Sequence, residues 1–536
     1  MEQFVRQGIS SYLDIIPVLC QNTMLFKREN TVLPPTAFRR AVGIRFSSGR
    51  APVRPYTQKE VGRYGFLSTC HPRVPGKLES IAPGRVTAGS EVNPDYGRDE
   101  MPIYGVHPPE AAVEILSTEE AAAVVKLCYT HNIPVTTRGA GTGLVGGCVP
   151  VFGGVVLSTA RMNRILGYDL ENFTVTVQPG VLLQQLAEDA LSHGCLYPPD
   201  PGEKLATLGG NVSTNASGMR GVKYGATRDY VKAMTVVLPT GEVTQFGSAV
   251  SKTSSGYNLL HLMIGSEGTL GIITELTLKL IPAPGATISL VVPFADLPTC
   301  ISTVPKLRHS HLNPQAIEFF EKEILITSET YLEKQVFPRV IEGTDVGAYL
   351  LITFDGDSME ALEPTIERAA TLLLEEGALD VLVADTPQKL KEAWAARSSF
   401  LEGIEEQTKL LDECDVVVPV TKIPDYLVFA DQLAKEYDFR LQSFGHAGDG
   451  NLHIYTCSND MEREEFLRQV DDFMTKLYAK TMELGGQISG EHGIGRGKIK
   501  YLAQAAGDTN IALMQGIKAV FDPKMILNPG KIFPMP

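Results

Sequence analysis

The stretch RGAGTGLVGGCVPVFGG, Arg138–Gly154, decides the fold. Inside it, GTGLVG (Gly141–Gly146) has the G-x-G-x-x-G spacing of a Rossmann dinucleotide site, where glycines admit a pyrophosphate to the backbone and a helix starts directly behind them. No helix can start here. Gly147, Pro150, Gly153 and Gly154 follow at once, and glycine and proline are the poorest residues for a helix interior. The Rossmann reading is therefore rejected. What remains is a loop of small, flexible residues beside Arg138, in which backbone N–H groups can converge on a phosphate with no side chain in the way.

Outward from that loop the chain alternates helix and strand. STEEAAAVVKLCYTHN (Ser117–Asn132) carries a serine cap, early glutamates and apolar residues at helical spacing, and IPVTTR then reads as a strand entering the loop. GGVVLST, FTVTVQPG, YVKAMTVVLPTGEV and TLGIITELTLKLIP are further strand candidates, the last stopped by Pro282-Ala283-Pro284. That breaker marks a boundary. Beyond it ISLVVPF, AIEFFE and AYLLITFDG read as strands, with long helices expected over Met359–Gly377 and Gln388–Gln407. The ending MILNPGKIFP reads as a strand-like return to the first lobe. The expected divisions are a basic, poorly ordered extension at 1–74, lobes at 75–285 and 286–505, and a returning segment at 506–536.

The length of 536 residues and a hydrophobic content of 43% imply more than one core. A net charge of -14 and the lack of a dense basic stripe exclude nucleic acid as the main partner. Eight scattered cysteines contain no C-x-x-C pair for a cluster or zinc knuckle, and read as reduced thiols in the cytoplasm. No apolar run reaches the roughly 18 to 20 residues of a transmembrane helix. The extension differs in charge: Lys27–Lys77 holds eleven basic and two acidic residues, which leaves -23 for the rest of the chain. Its FRRAVGIRFSSGRA is Arg- and Ser-rich, so a mitochondrial presequence is the alternative to a cytoplasmic location.

Two further glycine-rich runs follow the first: PPDPG with TLGGNVSTNASGMRGVKYG (Pro198–Gly225), and SSGYNLLHLMIGSEGTLGIIT (Ser254–Thr274). Together the three runs resemble the flavin-binding domain of the vanillyl-alcohol oxidase (PCMH) type, in its FAD-linked 2-hydroxy-acid dehydrogenase branch. The resemblance implies an α+β fold: an FAD-binding domain of two α+β subdomains, followed by an α+β substrate or cap domain with an antiparallel sheet. No histidine or cysteine stands in an obvious flavinylation motif, so FAD is expected to be held without a covalent link. The pyrophosphate would lie on Arg138, Gly139, Ala140, Gly141, Thr142 and Gly143, with more contacts from Pro199, Asp200, Thr207, Gly210, Asn211, Thr214, Ser217, Gly271, Ile273 and Asn528.

SFGHAGDGNLHIYTC (Ser443–Cys457) places two of the chain's ten histidines, His446 and His453, on either side of a tight turn. Flanking strands would let the two imidazoles converge, for packing or for a metal. In SGEHGIGRGK, Glu491 and His492 stand between glycines that cannot pack a core. Two histidines and a glutamate with one position open have the composition of a catalytic divalent-metal centre. By the resemblance, His446, His453 and Glu491 look like ligands of one divalent ion (Zn, Fe or Mn), His492 like the general base, and Arg397 in EAWAARSSF like the fork for the substrate carboxylate.

Members of the branch that act on 2-hydroxyglutarate carry extra polar residues for its distal carboxylate. Here those places are Leu401, Glu413 (aligned to within a residue) and Tyr455, which offer a second carboxylate no cationic partner, and Glu413 is expected to repel it. A smaller acid follows, with D-lactate ahead of glycolate. YPPDPGEKLATLGGN and KTSSGYNLL are most similar to members that oxidise D-lactate and hand electrons to an electron-transferring flavoprotein, in a homodimer or larger complex. A 2-hydroxyglutarate or glycolate dehydrogenase, and an electron-relay subunit with an idle hydroxy-acid site, stand as the alternatives.

Overall fold

The structure is a computed structural model that describes residues 74–535. Apart from Val74, the basic extension lies outside the described residues.

The capped helix forms over Thr118–His131, with Ser117 Oγ accepting the Glu120 N–H at 3.3 Å and Asn132 closing it in a left-handed conformation. Its buried stripe of Ala121, Val124, Val125 and Cys128 packs with Val113, Val135, Val155 and Leu157 from a four-stranded sheet. The strand order there is Val86–Ala88, Ala111–Glu114, Val155–Ser158, Val135–Arg138, and the last three strands are parallel. The C-terminal return does reach this sheet, with Val135 N–H donating to Ile526 O at 2.8 Å and Asn528 N–H to Val135 O at 2.7 Å. It forms only an isolated bridge at Leu527 and not the expected strand, since Met525 and Asn528 have positive φ and Pro529 supplies no N–H.

The second subdomain is a five-stranded antiparallel sheet in the order Ile165–Asp169, Thr174–Val177, Ile272–Lys279, Val231–Val237, Val243–Gly247. The expected single strand YVKAMTVVLPTGEV is its last hairpin, turning at Gly241 with φ of 85°. The glycine loop, as expected, is not followed by a helix; residues 144–154 are turns.

Past the Pro282-Ala283-Pro284 breaker the chain builds a seven-stranded antiparallel sheet. Its order is Leu382–Ala384, Ala286–Phe294, Ala348–Gly356, Ala316–Glu321, Arg440–His446, Asn451–Ser458, Leu410–Val417. The period of two sorts its residues between faces. One face sends Phe319, Cys414, Val416, Leu452 and Ile454 into a core shared with helices Ile423–Tyr437 and Arg463–Glu483. The opposite face carries charge: Glu318 pairs in register with His446, Asp415 with His453, and Glu413 with Tyr455. The long helix expected over Gln388–Gln407 is two helices, Pro387–Ser398 and Phe400–Gln407, broken at Ser399 (φ −95°, ψ 20°). The break places Arg397 at the end of one helix and Phe400 at the start of the next. The division expected at 505/506 falls beside a second break, at Gly507 (φ 74°) in helix Ile499–Phe521.

Candidate active site

One continuous cavity is walled on one side by the glycine loops and on the other by the charged face of the seven-stranded sheet. From the glycine side it is lined by Gly139, Ala140, Gly141, Thr142, Gly143, Thr207, Gly210, Asn211, Thr214, Gly271, Ile273 and Asn528, all expected cofactor contacts. The loop holds its shape by close approach. A Cβ at Gly139 would strike Thr207 Oγ1, and one at Gly141, where φ is +89°, would strike the Arg138 guanidinium. That placement corrects the role expected of Arg138. Its guanidinium lies beneath the loop, donating to Arg98 O and, at 3.2 Å, to Cys148 Sγ, so it supports the cradle from behind and does not line the cavity. Pro199, Asp200 and Ser217 are also set back from the wall. Asp200 is instead paired with Lys204 Nζ at 2.5 Å and Arg220 Nε at 3.5 Å.

The cradle fits FAD on two observations. Its surface is backbone and small side chains, and two buried polar atoms, Asn211 Nδ2 and Thr137 Oγ1, belong to residues lining the cavity and have no partner among the described residues. Buried polar atoms without partners are costly, so both ask for a ligand. Thr137 escaped the sequence reading because a threonine in a strand entering a loop carries no signal of its own.

Across the cavity the four expected residues of the centre converge. His446 Nε2 and His453 Nε2 lie 3.3 and 3.2 Å from the same oxygen of Glu491, Oε1, and His492 Nε2 lies 3.9 Å from it. Glu491 Oε2 is buried with no partner among the described residues. The far side of each ring is held as well: His446 Nδ1 by Glu318 (2.7 and 2.9 Å), His453 Nδ1 by Glu413 Oε1 (3.0 Å), and His492 Nδ1 by Glu413 Oε2 (2.9 Å). Imidazole fixed by a carboxylate at one nitrogen and presented at the other is the usual dress of a metal ligand. The donor set of His446, His453 and Glu491, whose ligating atoms lie within 4.8 Å of one another, therefore fits a divalent ion.

The loop bearing Glu491 and His492 is held by Asp415, which accepts Ser489 Oγ (2.9 Å) and the N–H groups of Gly490 (3.0 Å), Glu491 (3.3 Å) and His492 (3.0 Å), and pairs with Lys498 Nζ (3.1 Å). Gly490 has no room for a side chain against Asn451. The other end of the loop is tied to the third glycine run, where Glu267 accepts the N–H groups of Ile494 (2.8 Å) and Gly495 (2.7 Å).

Arg397 lines the cavity with its Nε and Nη2 on Glu318 Oε2 at 2.9 and 2.7 Å, and its guanidinium lies 4.7 Å from the Phe444 ring centre. A guanidinium has five donors, so binding Glu318 side-on leaves the end-on Nη1/Nη2 edge for another carboxylate. Leu401 and Tyr455 line the cavity beside Phe400 and Phe444, but Glu413 does not. This corrects the expectation that Glu413 would repel a second carboxylate: its side chain is 1% exposed and both oxygens serve histidines.

Protonation follows from this crowding of acids. Burial works against charge on His492, yet the Glu413 and Asp415 carboxylates outweigh it and raise the imidazole to about 9. Burial also works against charge on Glu413, but His492 and His453 outweigh it and pull the carboxyl down to about 2. Burial opposes ionisation of Glu491 too, and the hydrogen bonds from His446 and His453 hold it well below the usual carboxylate range. In this state protons sit where a cation would; an ion held by His446, His453 and Glu491 would displace them and would lower His492 by repulsion.

The sequence reading gave Glu413 another role and missed Glu318, Asp415 and Glu267; of these four, those on the strands of the sheet are Glu318, Glu413 and Asp415. Those three did leave a signal: an acid inside an apolar strand (AIEFFE, LLDECDVVVP) must be buried, and a buried carboxylate needs partners.

Residues 109–247 match the family described as FAD binding domain, and residues 283–532 match FAD linked oxidases, C-terminal domain. The chain is 63% identical to a D-lactate dehydrogenase of Anaerostipes hadrus over 86% of its own length and 97% of that protein's. It is 37% identical to the glycolate oxidase subunit GlcD of Bacillus subtilis over 82% and 92% of the two lengths. Among solved structures, p-cresol methylhydroxylase with substrate bound superposes with a TM-score of 0.71 at 19% identity, covering 89% of this chain and 97% of that one, a likeness of fold alone.

Proposed function

The chain belongs to the FAD-linked oxidases of the vanillyl-alcohol oxidase (PCMH) superfamily, with FAD as its cofactor, and from that premise we propose that it oxidises a small D-2-hydroxy acid, D-lactate before others, to the 2-oxo acid. The observation that supports this best is the shared cavity. It brings Arg397, His492, His446, His453 and Glu491 together opposite the glycine cradle, and we read Arg397 as the carboxylate-binding edge, His492 as the base and the other three as the cation-binding set.

Each residue of the chain then has a task. The end-on edge of Arg397 receives the substrate carboxylate, and its orientation is fixed by Glu318 and by the rings of Phe400 and Phe444. His492 accepts the hydroxyl proton at Nε2, since Nδ1 is held by Glu413. Phe400, Leu401, Phe444 and Tyr455 surround the remaining space, receive a methyl group and exclude water. FAD, when bound, supplies the acceptor of the hydride from the substrate carbon. A divalent ion, when bound by His446, His453 and Glu491, supplies Lewis acidity that eases loss of the hydroxyl proton.

The wall also argues the substrate's size. A second carboxylate would lie against Leu401 and Tyr455 with no cation to meet it, which disfavours 2-hydroxyglutarate. The test is anaerobic mixing of the FAD-loaded chain with D-lactate, L-lactate, glycolate and D-2-hydroxyglutarate, followed by flavin absorbance. D-lactate is expected to bleach the flavin fastest. Equal bleaching by D-2-hydroxyglutarate would overturn the substrate, and no bleaching by any acid would favour a relay subunit with an idle site.

For the electrons we propose an electron-transferring flavoprotein as acceptor, docked in a larger complex. The support is that the chain's eight cysteines show no C-x-x-C cluster spacing, so the reading assigns the next redox centre to another protein. The isolated chain is then expected to reduce dyes with D-lactate but not NAD. Rapid reduction of NAD by the chain alone would count against the carrier.

A further inference from the structure

Glu413 hydrogen-bonds to both halves of the proposed chemistry from behind the cavity. Its Oε1 is 3.0 Å from Nδ1 of His453, a proposed ion ligand, and its Oε2 is 2.9 Å from Nδ1 of His492, the proposed base. The two rings are stacked, with centres 5.2 Å apart and planes inclined by 27°. Strand Leu410–Val417 is paired along its whole length with Asn451–Ser458, so the distance from Glu413 to His453 is set by a ladder and not by a loop. Glu413 contacts neither the cavity nor solvent.

From this geometry we infer that Glu413 is a positioning residue that fixes the tautomers of His453 and His492 together. A carboxylate only accepts hydrogen bonds, so each ring must present N–H at Nδ1, and once the rings are neutral, with an ion in place of the protons, both Nε2 atoms are bare and directed at the Glu491 side of the site. A neutral amide cannot do this. Glutamine has one carbonyl to accept from one ring, while its NH2 donates to the other Nδ1 and forces that ring to carry its proton on Nε2. One of the two histidines is then disabled, either as ligand or as base. Glu413, His453 and His492 can also be grouped as a second cation set, but His453 would then have to bridge two ions through both nitrogens, with no proton left for the 3.0 Å hydrogen bond.

The inference rests on the roles proposed for His453 and His492, and the experiment separates the two. Mn2+ binding to the FAD-loaded chain is followed by the electron paramagnetic resonance of free Mn2+, and D-lactate turnover is measured with the ion saturating, for wild type, Glu413→Gln and His492→Ala. We expect Glu413→Gln to retain FAD, to bind Mn2+ about 10- to 100-fold more weakly or to lose about 10²-fold in kcat at saturating Mn2+, and to change KM by less than about threefold. Mn2+ affinity within twofold of wild type together with unimpaired kcat would overturn it, as would two Mn2+ ions per wild-type chain. An active His492→Ala variant would instead overturn the proposed base. Should Glu413→Gln fail to fold, nitrogen-15 histidine spectra of the Zn2+-loaded wild type decide the matter. Nδ1–H is expected on both rings, and Nε2–H on either contradicts the inference.

Discussion

The two walls of the cavity are made by opposite means. The cradle is built by taking side chains away: Gly139 and Gly141 let the chain close over Thr207 and Arg138, and its binding surface is backbone. The sheet face is built by burying charge: Glu318, Glu413, Asp415 and Glu491 face His446, His453, His492, Arg397 and Lys498, each held by a partner. A backbone cradle accepts any ligand of the right shape and tolerates loss of a single contact. A face of paired charges fails when one member is removed, because the partner is left buried and unpaired. In the proposed function, position is then the contribution of the first wall, and chemistry that of the second.

The largest effect expected from this contrast is His492→Ala, which lowers kcat with D-lactate by about 10² to 10⁴. FAD content and Mn2+ binding stay near wild type, as absorbance and dialysis against free ion would report. A variant that also sheds FAD would break the division between the walls.

Next comes substrate choice, which belongs to the sheet face and its flanking helix. D-lactate is expected to exceed D-2-hydroxyglutarate in kcat/KM by about 10² or more, since a second carboxylate would be buried without a partner at Leu401 and Tyr455. Steady-state kinetics with both acids measures the ratio.

A change in the cradle has the reverse pattern. Gly141→Ala forces a side chain into φ of +89° and against the Arg138 guanidinium. The strain alone is about 1–2 kcal/mol, so FAD affinity is expected to fall about tenfold or more while Mn2+ affinity is unchanged. Fluorescence titration of the apoprotein with FAD reads the first, and the Mn2+ titration the second.

The smallest effect lies behind the cradle. Burial raises the Asp99 carboxyl to about 7, although the Gly146 and Met101 N–H groups bond to it. The folded chain thus holds a proton there that the unfolded chain, at about 4, releases. The stability this neutral group contributes is present below pH 4 and declines as pH rises to 7. Thermal melts between pH 4.5 and 7.5 are expected to show wild type losing stability relative to Asp99→Asn across that range. A constant difference would remove Asp99 as the cause.

Legibility in the sequence followed the same divide. Glycine needs no partner to signal its use, so the loop at Arg138–Gly154, the absence of a helix after it and most of the cradle could be read directly. His446, His453, Glu491 and His492 were found because histidine in a tight hairpin and Glu-His between glycines are rare patterns. The carboxylates behind them were not, because Glu318 and Glu413 act on residues 128 and 40 positions away, and strand register decides those pairings. Arg138 was misplaced for a related reason. The sequence puts it beside the phosphate loop, and only the left-handed turn at Gly141 shows that the loop passes over it.

In the proposed function the sheet face, and not the flavin cradle, carries the chemistry. That division is tested most directly by Glu491→Gln in anaerobic stopped-flow with D-lactate, with FAD content measured on the same sample. The predicted result is a full complement of FAD whose absorbance fails to bleach on the wild-type timescale, the rate falling by about 10³ or more if the proposed ion's several kcal/mol of stabilisation is lost with Glu491. Bleaching of the FAD-loaded variant at the wild-type rate would contradict the claim.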